Sequence, residues 1–307
     1  MGNEINDPGI GTQFKKKTKR IINKDGSYNI IKIGGQKGFR DVFKYMLEIS
    51  WLQFFGILFG GYIGMNLIFT TLYYFCGYEN IVGINGDGGV HPIFQTFFFS
   101  VQTFTTVGYG TLAPKGLPTQ SIATVEAFVG FLSFSLATGL AYGRFSRPNS
   151  KIIFSNNVLF SKYKEGYSIK VKMANERENV LLEVSAKIIL TFDKVLKNGE
   201  ISRSYYNLPL EIDSVELLPY TWTLVHEIDD ESPFWNKSKD EICDLNPEFL
   251  VLIKGFDETF SQHLHTKQSF VSEDLLWNKK FLKIYSPNDD GVIEFNVNHI
   301  NQIADEE

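Results

Sequence analysis

Five consecutive residues in this chain are suited to a chemistry that side chains rarely perform. Thr106-Val107-Gly108-Tyr109-Gly110 sits in the longer string FFFSVQTFTTVGYGTLAP, residues 97–114. Gly108 and Gly110 reach φ values closed to other residues, so successive backbone carbonyls there can point one way. A row of carbonyl oxygens is a ligand set for a hard, dehydrated cation. In a soluble protein the same Gly-Tyr-Gly is a turn, so its meaning depends on the elements around it. The other reactive groups are isolated. His263 and His265 lack further ligands nearby and read as surface or interdomain structure. Asp229-Asp230-Glu231 reads as a solvated or subunit-contact loop. Cys76 and Cys243 lie far apart without zinc spacing, and both read as free thiols. There is no Gly-x-Ser-x-Gly, phosphate loop, HExxH or coherent triad, so nothing points to an enzyme.

Two long apolar segments flank the string. Trp51–Cys76 carries no charge over 26 residues, with Trp51 at one end and Tyr73-Tyr74 at the other. That length exceeds the roughly 30 Å hydrocarbon core, and the aromatic ends suit membrane interfaces. The second span runs from Thr119 to about Phe145, is rich in small residues, carries Glu126, and ends at basic Arg144 and Arg147. Between them, Pro92–Phe104 is too short to cross and reads as a re-entrant helix with Pro92 in its first turn. Gly38–Ser50 places Phe39, Val42, Phe43, Met46 and Leu47 largely on one side, the pattern of an amphipathic helix at the interface. A cytoplasmic extension of the first span is the alternative.

Non-helical backbone at membrane depth must be buried in protein or line a water-filled path. Residues 105–110 fall at that depth. Four such strands around an axis offer rings of carbonyl oxygens in place of a hydration shell, and Thr-Val-Gly-Tyr-Gly is the signature of potassium filters built this way. Thr106 adds a hydroxyl ring, and Tyr109 is expected to point away and brace the strand. One chain cannot close a ring, so a homotetramer is implied. The basic residues before the first span and after the second put both termini in the cytoplasm.

The composition agrees with a divided chain. The 307 residues allow about two domains. Hydrophobic residues make up 43%, so the whole chain is not membrane-embedded. Net charge is −5, which gives no reason to expect nucleic acid. Lys15–Arg20 is basic without a following short apolar core, unlike a secretory signal. Val180–Phe192 alternates apolar residues on one strand face. Further strands are expected at 169–173, 214–218, 249–253, 281–285 and 292–295, together suggesting a β-sandwich.

With these motifs in order, the chain resembles the inward-rectifier potassium channels, of the prokaryotic branch. The resemblance covers about 32–293 and includes FRDVFKYMLEISW, FFFSVQTFTTVGYG, LATGLAYGRFSRP, ANERENVLLEVSAK, HEIDDESPFW and GFDETFSQHLHTKQSF. It implies membrane α plus cytoplasmic β: a cytoplasmic segment 1–36, an interfacial helix 37–50, a two-span pore domain 51–148, and an immunoglobulin-like sandwich 149–307 that tetramerises. It implies no cofactor, K+ as the permeant ion held by Thr105–Gly110 carbonyls, and a prokaryotic inner membrane. Lys37, Arg40, Lys44, Arg144, Arg147 and Lys151 are expected to face anionic lipid, or only to set topology. Phe134 and Thr138 are expected in the cavity. Tyr142 takes the bundle-crossing position, as a gate or as ordinary packing. Gly130 and Gly139 are hinges or close contacts. Glu126 is a pore-helix or cavity group, or a hydrogen-bonded structural acid.

The chain departs from the family pattern beside the filter. Gln102 stands where an acid is usual, and Thr111 where Asp or Phe often follows. Phe134 replaces the rectifying carboxylate of the inner helix. In the vestibule Glu183 is retained and Lys254 replaces an acid. Polyamines, Mg2+ and Ba2+ are the candidate blockers, and polyamine block is expected to be weak. A membrane-anchored sensory protein is the competing class, but an anchor needs no filter or re-entrant helix. A less selective cation channel is disfavoured by Tyr109.

Overall fold

The first membrane-length helix starts where Ser50 stops the chain from fraying. Its hydroxyl accepts the Gln53 N–H at 3.3 Å, and the Gln53 side chain accepts the Ser50 N–H at 3.1 Å. This reciprocal cap satisfies two otherwise orphaned amides. The computed structural model describes residues 4–14, 20–24, 26–31, 33–34, 39–84, 90–146, 151–195 and 201–306. The chain divides into two compact units, one of residues 34–147 and one of 1–33 with 148–307.

The smaller unit is helical. Helix α1 is Phe39–Glu48, α2 is Trp51–Phe75, α3 is Pro92–Phe104 and α4 is Leu117–Phe145. At 1.5 Å per residue, α2 and α4 are about 38 and 44 Å long, enough to cross a bilayer, whereas α3 is about 20 Å and is not. Helix α3 opens on Pro92, whose missing N–H is no loss in a first turn. His91 Nδ1 accepts the Ile93 N–H at 3.3 Å. Helix α4 follows Gly116 at φ +80 and carries Pro118 in its first turn. Phe69 and Tyr73 of α2 pack with Phe99 and Phe104 of α3, and Ile81 seals the same cluster.

The larger unit contains two sheets face to face. In the first, Glu4–Ile5, Ile201–Leu208, Leu181–Val195, Glu248–Asp257 and Gln262–Val271 lie in that order, all antiparallel. Ser214–Leu218 also pairs with Leu181–Val195. In the second, the order is Thr221–Ile228, Gly166–Asn175, Val158–Tyr163 and Leu275–Trp277. Val184, Ile188, Phe249 and Val251 from the first sheet meet Val171, Ile169 and Leu224 from the second in one core.

The strand expectation for 180–192 holds in kind but not in phase, the strand itself being Leu181–Val195. Val184, Ala186, Ile188, Leu190 and Phe192 are buried as the alternation demands. At its start, Leu181 is buried and Leu182 only half-buried, so the inward face switches by one residue. The cause is a bulge. Glu183 sits at φ +48, and the pairing with Glu248–Asp257 jumps from Lys254↔Ser185 to Phe256↔Leu182. An extra residue in one strand inverts every side chain beyond it.

Two other expectations need correction. Residues 281–285 are not one strand. Lys279–Phe281 pairs with Ile303–Asp305, and Tyr285–Pro287 pairs with Ile293–Phe295. The break lets Ile284 turn inward onto Ala174 and Ile300. The strand 181–195 also has more than one buried side. Ile189 packs with Ile21, Ile22, Tyr205 and Leu250 beneath the N-terminal residues. Buried Glu248 accepts the Ile21 N–H at 2.6 Å, and Arg20 meets Asp274 at 2.9 Å.

Candidate functional site

The glycine-rich string leaves the C-terminus of α3, and the helix end dictates how it leaves. Thr105 caps α3, its N–H returning to the Val101 carbonyl at 3.1 Å. The Thr106 N–H bonds the Thr103 carbonyl at 3.0 Å. The amides of Val107 and Gly108 both turn to the Gln102 carbonyl, at 2.9 and 3.4 Å. All the peptide bonds here are trans. In a trans peptide the C=O points opposite to the N–H it shares a plane with. Tying three consecutive amides to the helix end therefore aims the carbonyls of Thr105, Thr106 and Val107 away from it, on one side.

The backbone angles match this arrangement. Thr106, Gly108 and Gly110 have φ of +58, +54 and +85. Two of the three are glycines, for which this region is open. Thr106 is not, and a β-branched residue in left-handed backbone carries strain. The negative end of the α3 dipole lies at the same place and favours a cation there. Val107 and Tyr109 are exposed in the single chain. Tyr109 thus finds no bracing partner among the described residues of its own chain.

Beyond the string the exit is held by backbone. Ile81–Val82 pairs with Ala113–Pro114, and the Lys115 N–H bonds the Asn80 carbonyl at 2.7 Å. A Cβ on Gly83 would stand 2.1 Å from the Thr111 carbonyl, so only glycine permits that approach. The Thr111 main chain packs directly against Gly83. Gln102 Oε1 is buried without a hydrogen-bond partner among the described residues of its own chain.

Glu126 is fully buried. It accepts the Tyr73 hydroxyl of α2 at 2.6 Å and the Ser100 hydroxyl of α3 at 2.5 Å. The structure places Glu126 beside α3, as one reading open in the sequence has it, and hydrogen-bonded there, as the other does. Gly130, one turn on, is a close contact: a Cβ there would lie 1.9 Å from the Phe104 carbonyl oxygen. Gly139 has open space around it.

Phe134 and Tyr142 project from α4 uncovered, 77% and 74% exposed. Thr138 Oγ1 donates to the Phe134 carbonyl at 2.9 Å within the helix. A groove of about 970 Å³ runs between α2 and α4, lined by Tyr62, Phe104, Thr106, Gly130 and Phe134.

The six basic residues expected at lipid do not share one environment. Lys37 and Arg147, and the side chain of Arg40, lie outside the described residues. Lys44 is exposed near Glu48, and Lys151 is exposed and bonded to Glu176 at 3.1 Å. Arg144 is engaged within its own chain. Its guanidinium donates to the carbonyls of Met46 and Ile49, both at 2.6 Å, and stacks on Trp51 and Phe54 at 4.5 and 4.8 Å. It closes the C-terminal end of α1 against α4. Helix α1 has no basic residue in its own last turn, so Arg144 supplies the charge that end favours. In the β unit, Glu183 and Lys254 are exposed on neighbouring strands.

Tyr73, expected with Tyr74 at a membrane interface, is instead buried and bonded to Glu126, and sequence reasoning missed Ser100, Asn66 and the Ile81–Val82 pairing. Asn66 and Ser100 are polar residues within apolar runs, and that was the available signal.

Comparison with known proteins agrees with the arrangement. Residues 152–306 match the family model described as the inward rectifier potassium channel C-terminal domain. Residues 61–145 match an ion channel model. The inward rectifier potassium channel Kirbac3.1 of Paramagnetospirillum magnetotacticum is 29% identical over 287 residues, 93% of this chain and 96% of its own. The G protein-activated inward rectifier potassium channel 4 of Bos taurus is 23% identical, over 89% of this chain and 70% of its own. Inward rectifier potassium channel irk-1 of Caenorhabditis elegans is 22% identical, over 88% and 54%. These matches are to ion channels, not enzymes. With two membrane-length helices, a re-entrant helix, a β-sandwich and a family model over half its length, the chain belongs to the inward-rectifier potassium channel family.

Proposed function

We propose that four copies of this chain enclose a potassium-selective pore in a cell membrane, with both termini in the cytoplasm. The observation that carries this is the aim of the Thr105, Thr106 and Val107 carbonyls, all to one side and away from α3. Fourfold repetition turns each into a ring that replaces the hydration shell of K+. The permeant ion is cargo, and no cofactor takes part. The uncovered Tyr109, Phe134 and Tyr142 and the groove between α2 and α4 are surfaces a tetramer would cover. The K+ selectivity test is rubidium uptake into liposomes bearing the purified tetramer, with sodium competition and barium block. Barium-sensitive uptake that sodium does not replace is expected. Its absence from a clean tetramer overturns the proposal.

The gate lies at Tyr142. Four aromatic rings at the inner end of α4 form an apolar constriction that closes by dewetting. Anionic lipid biases it through Lys44 and Lys151, with Lys37, Arg40 and Arg147 contributing, each worth about 1 kcal/mol near a charged leaflet. Polyamine and Mg2+ block is weak, because Phe134 and Lys254 stand where attracting acids would be and Glu183 alone remains. Strong rectification in patch recordings would overturn that last reading.

A further inference from the structure

The filter string hangs from the end of α3, so whatever fixes α3 fixes the filter. Two points on α4 do this. Glu126 bonds Ser100, and Gly130 abuts the Phe104 carbonyl. Each pair is four residues apart on its own helix, so the helices meet twice, one turn apart, in register. Phe104 immediately precedes Thr105. The lower contact therefore stands directly behind the first carbonyl of the string.

The upper contact reaches a third helix. Tyr73 of α2 donates to the other carboxyl oxygen of Glu126. Asn66 of α2 brings its Oδ1 to 3.1 Å from Ser100 Oγ and ties its own Nδ2 to the Tyr62 carbonyl at 2.8 Å. Glu126, Ser100 and Asn66 are fully buried and Tyr73 nearly so. A polar group inside a low-dielectric interior is costly when unpaired and holds strongly when paired. Both oxygens of Glu126 are paired, whereas Gln102, beside the string, leaves Oε1 unpaired.

We infer that Glu126 is the positioning residue of the filter in this chain. It clamps α3 to both spans through Ser100 and Tyr73. The inference rests on the potassium-pore reading above. Glu126 touches no ion. It acts through Ser100 and the seat of α3.

The test uses the full-length tetramer in liposomes and nanodiscs, with Ser100→Ala, Tyr73→Phe and Glu126→Gln. Two readouts are taken on variants that elute as tetramers: rubidium uptake against sodium competition, and hydrogen–deuterium exchange of the peptide covering 97–110. Ser100→Ala and Glu126→Gln are expected to reduce rubidium-over-sodium discrimination at least fivefold and to speed exchange at 101–108. Tyr73→Phe is expected to do less, because it frees α2 and not α3. Should Glu126→Gln fail to assemble, Ser100→Ala, which deletes one oxygen, decides. Unchanged discrimination and unchanged exchange in the assembled variants overturn the inference. If the wild type itself shows no selective uptake, the pore reading falls with it. The exchange arm then still reports whether Glu126 holds α3.

Discussion

A side chain on Gly130 would have to occupy the space of the Phe104 carbonyl: a Cβ there would stand 1.9 Å from that oxygen. The neighbour is backbone at the end of α3, which cannot swing aside as a flexible side chain would. Gly130→Ala is therefore expected to destabilise the channel by roughly 3 kcal/mol, at the upper end of overpacking costs. Thermal unfolding of the purified protein measures this. Gly139→Ala meets nothing in its own chain and replaces a helix glycine, so it should be neutral or slightly stabilising. Equal melting temperatures for the two variants would contradict the contact.

Arg144 joins three elements by two charge-assisted bonds and a stack on Trp51. Arg144→Gln should cost about 2 kcal/mol, within the range for hydrogen bonds to a charged group. Trp51 fluorescence should shift as the cation leaves its ring. Arg144→Lys should not restore the wild type, because an ammonium cannot span the Met46 and Ile49 carbonyls as a planar fork does.

Glu183 occupies left-handed backbone at φ +48 in the bulge. Glu183→Gly should raise the stability of the β unit by up to about 1 kcal/mol, the strain of a non-glycine there. Glu183→Val should lower it, since a β-branched residue tolerates that region least. Denaturant midpoints for the pair check the sign.

His226 gives the β unit a pH dependence. Its Nδ1 faces the Pro209 carbonyl at 2.7 Å, so the proton lies on Nδ1, and Nε2 accepts from Ser232 Oγ at 2.9 Å. Burial holds the imidazole below its usual range, against upward pulls from the Pro209 bond and Asp229. Below about pH 6.5 the unfolded chain binds a proton that the folded one resists. Stability present above that pH is lost as pH falls from it toward the folded-state value. A loss on the order of 1 kcal/mol between pH 7.5 and 5.5 is expected, and His226→Asn should flatten it. An equally steep pH profile in the variant would remove His226 as the cause.

The outline of this channel could be read from residue order because its signals are local. Apolar length, Pro92 after His91, and the glycines at 108 and 110 each act within a few residues of themselves. So does the alternation from Val184 to Phe192. The bulge at Glu183 was not legible, because nothing in LLEVSAK shows where one strand gains a residue over its partner. Residues 281–285 misled for a similar reason: Ile284 is apolar because it turns onto Ala174 and Ile300, not because a strand continues.

Residue order alone specifies two membrane-length apolar segments, a glycine-bearing string between them and a β domain after them. Hydrophobic length and backbone freedom are properties of a residue and its neighbours in the chain. The roles of Glu126 and Arg144 emerge from the packed helices alone. Each is a charged-type side chain whose meaning is its partner, and the partners lie 26 and 53 residues away for Glu126 and 95 and 98 for Arg144. Which helices meet, and at which turn, is set by packing, and packing made one an inner clamp and the other a helix-end lock.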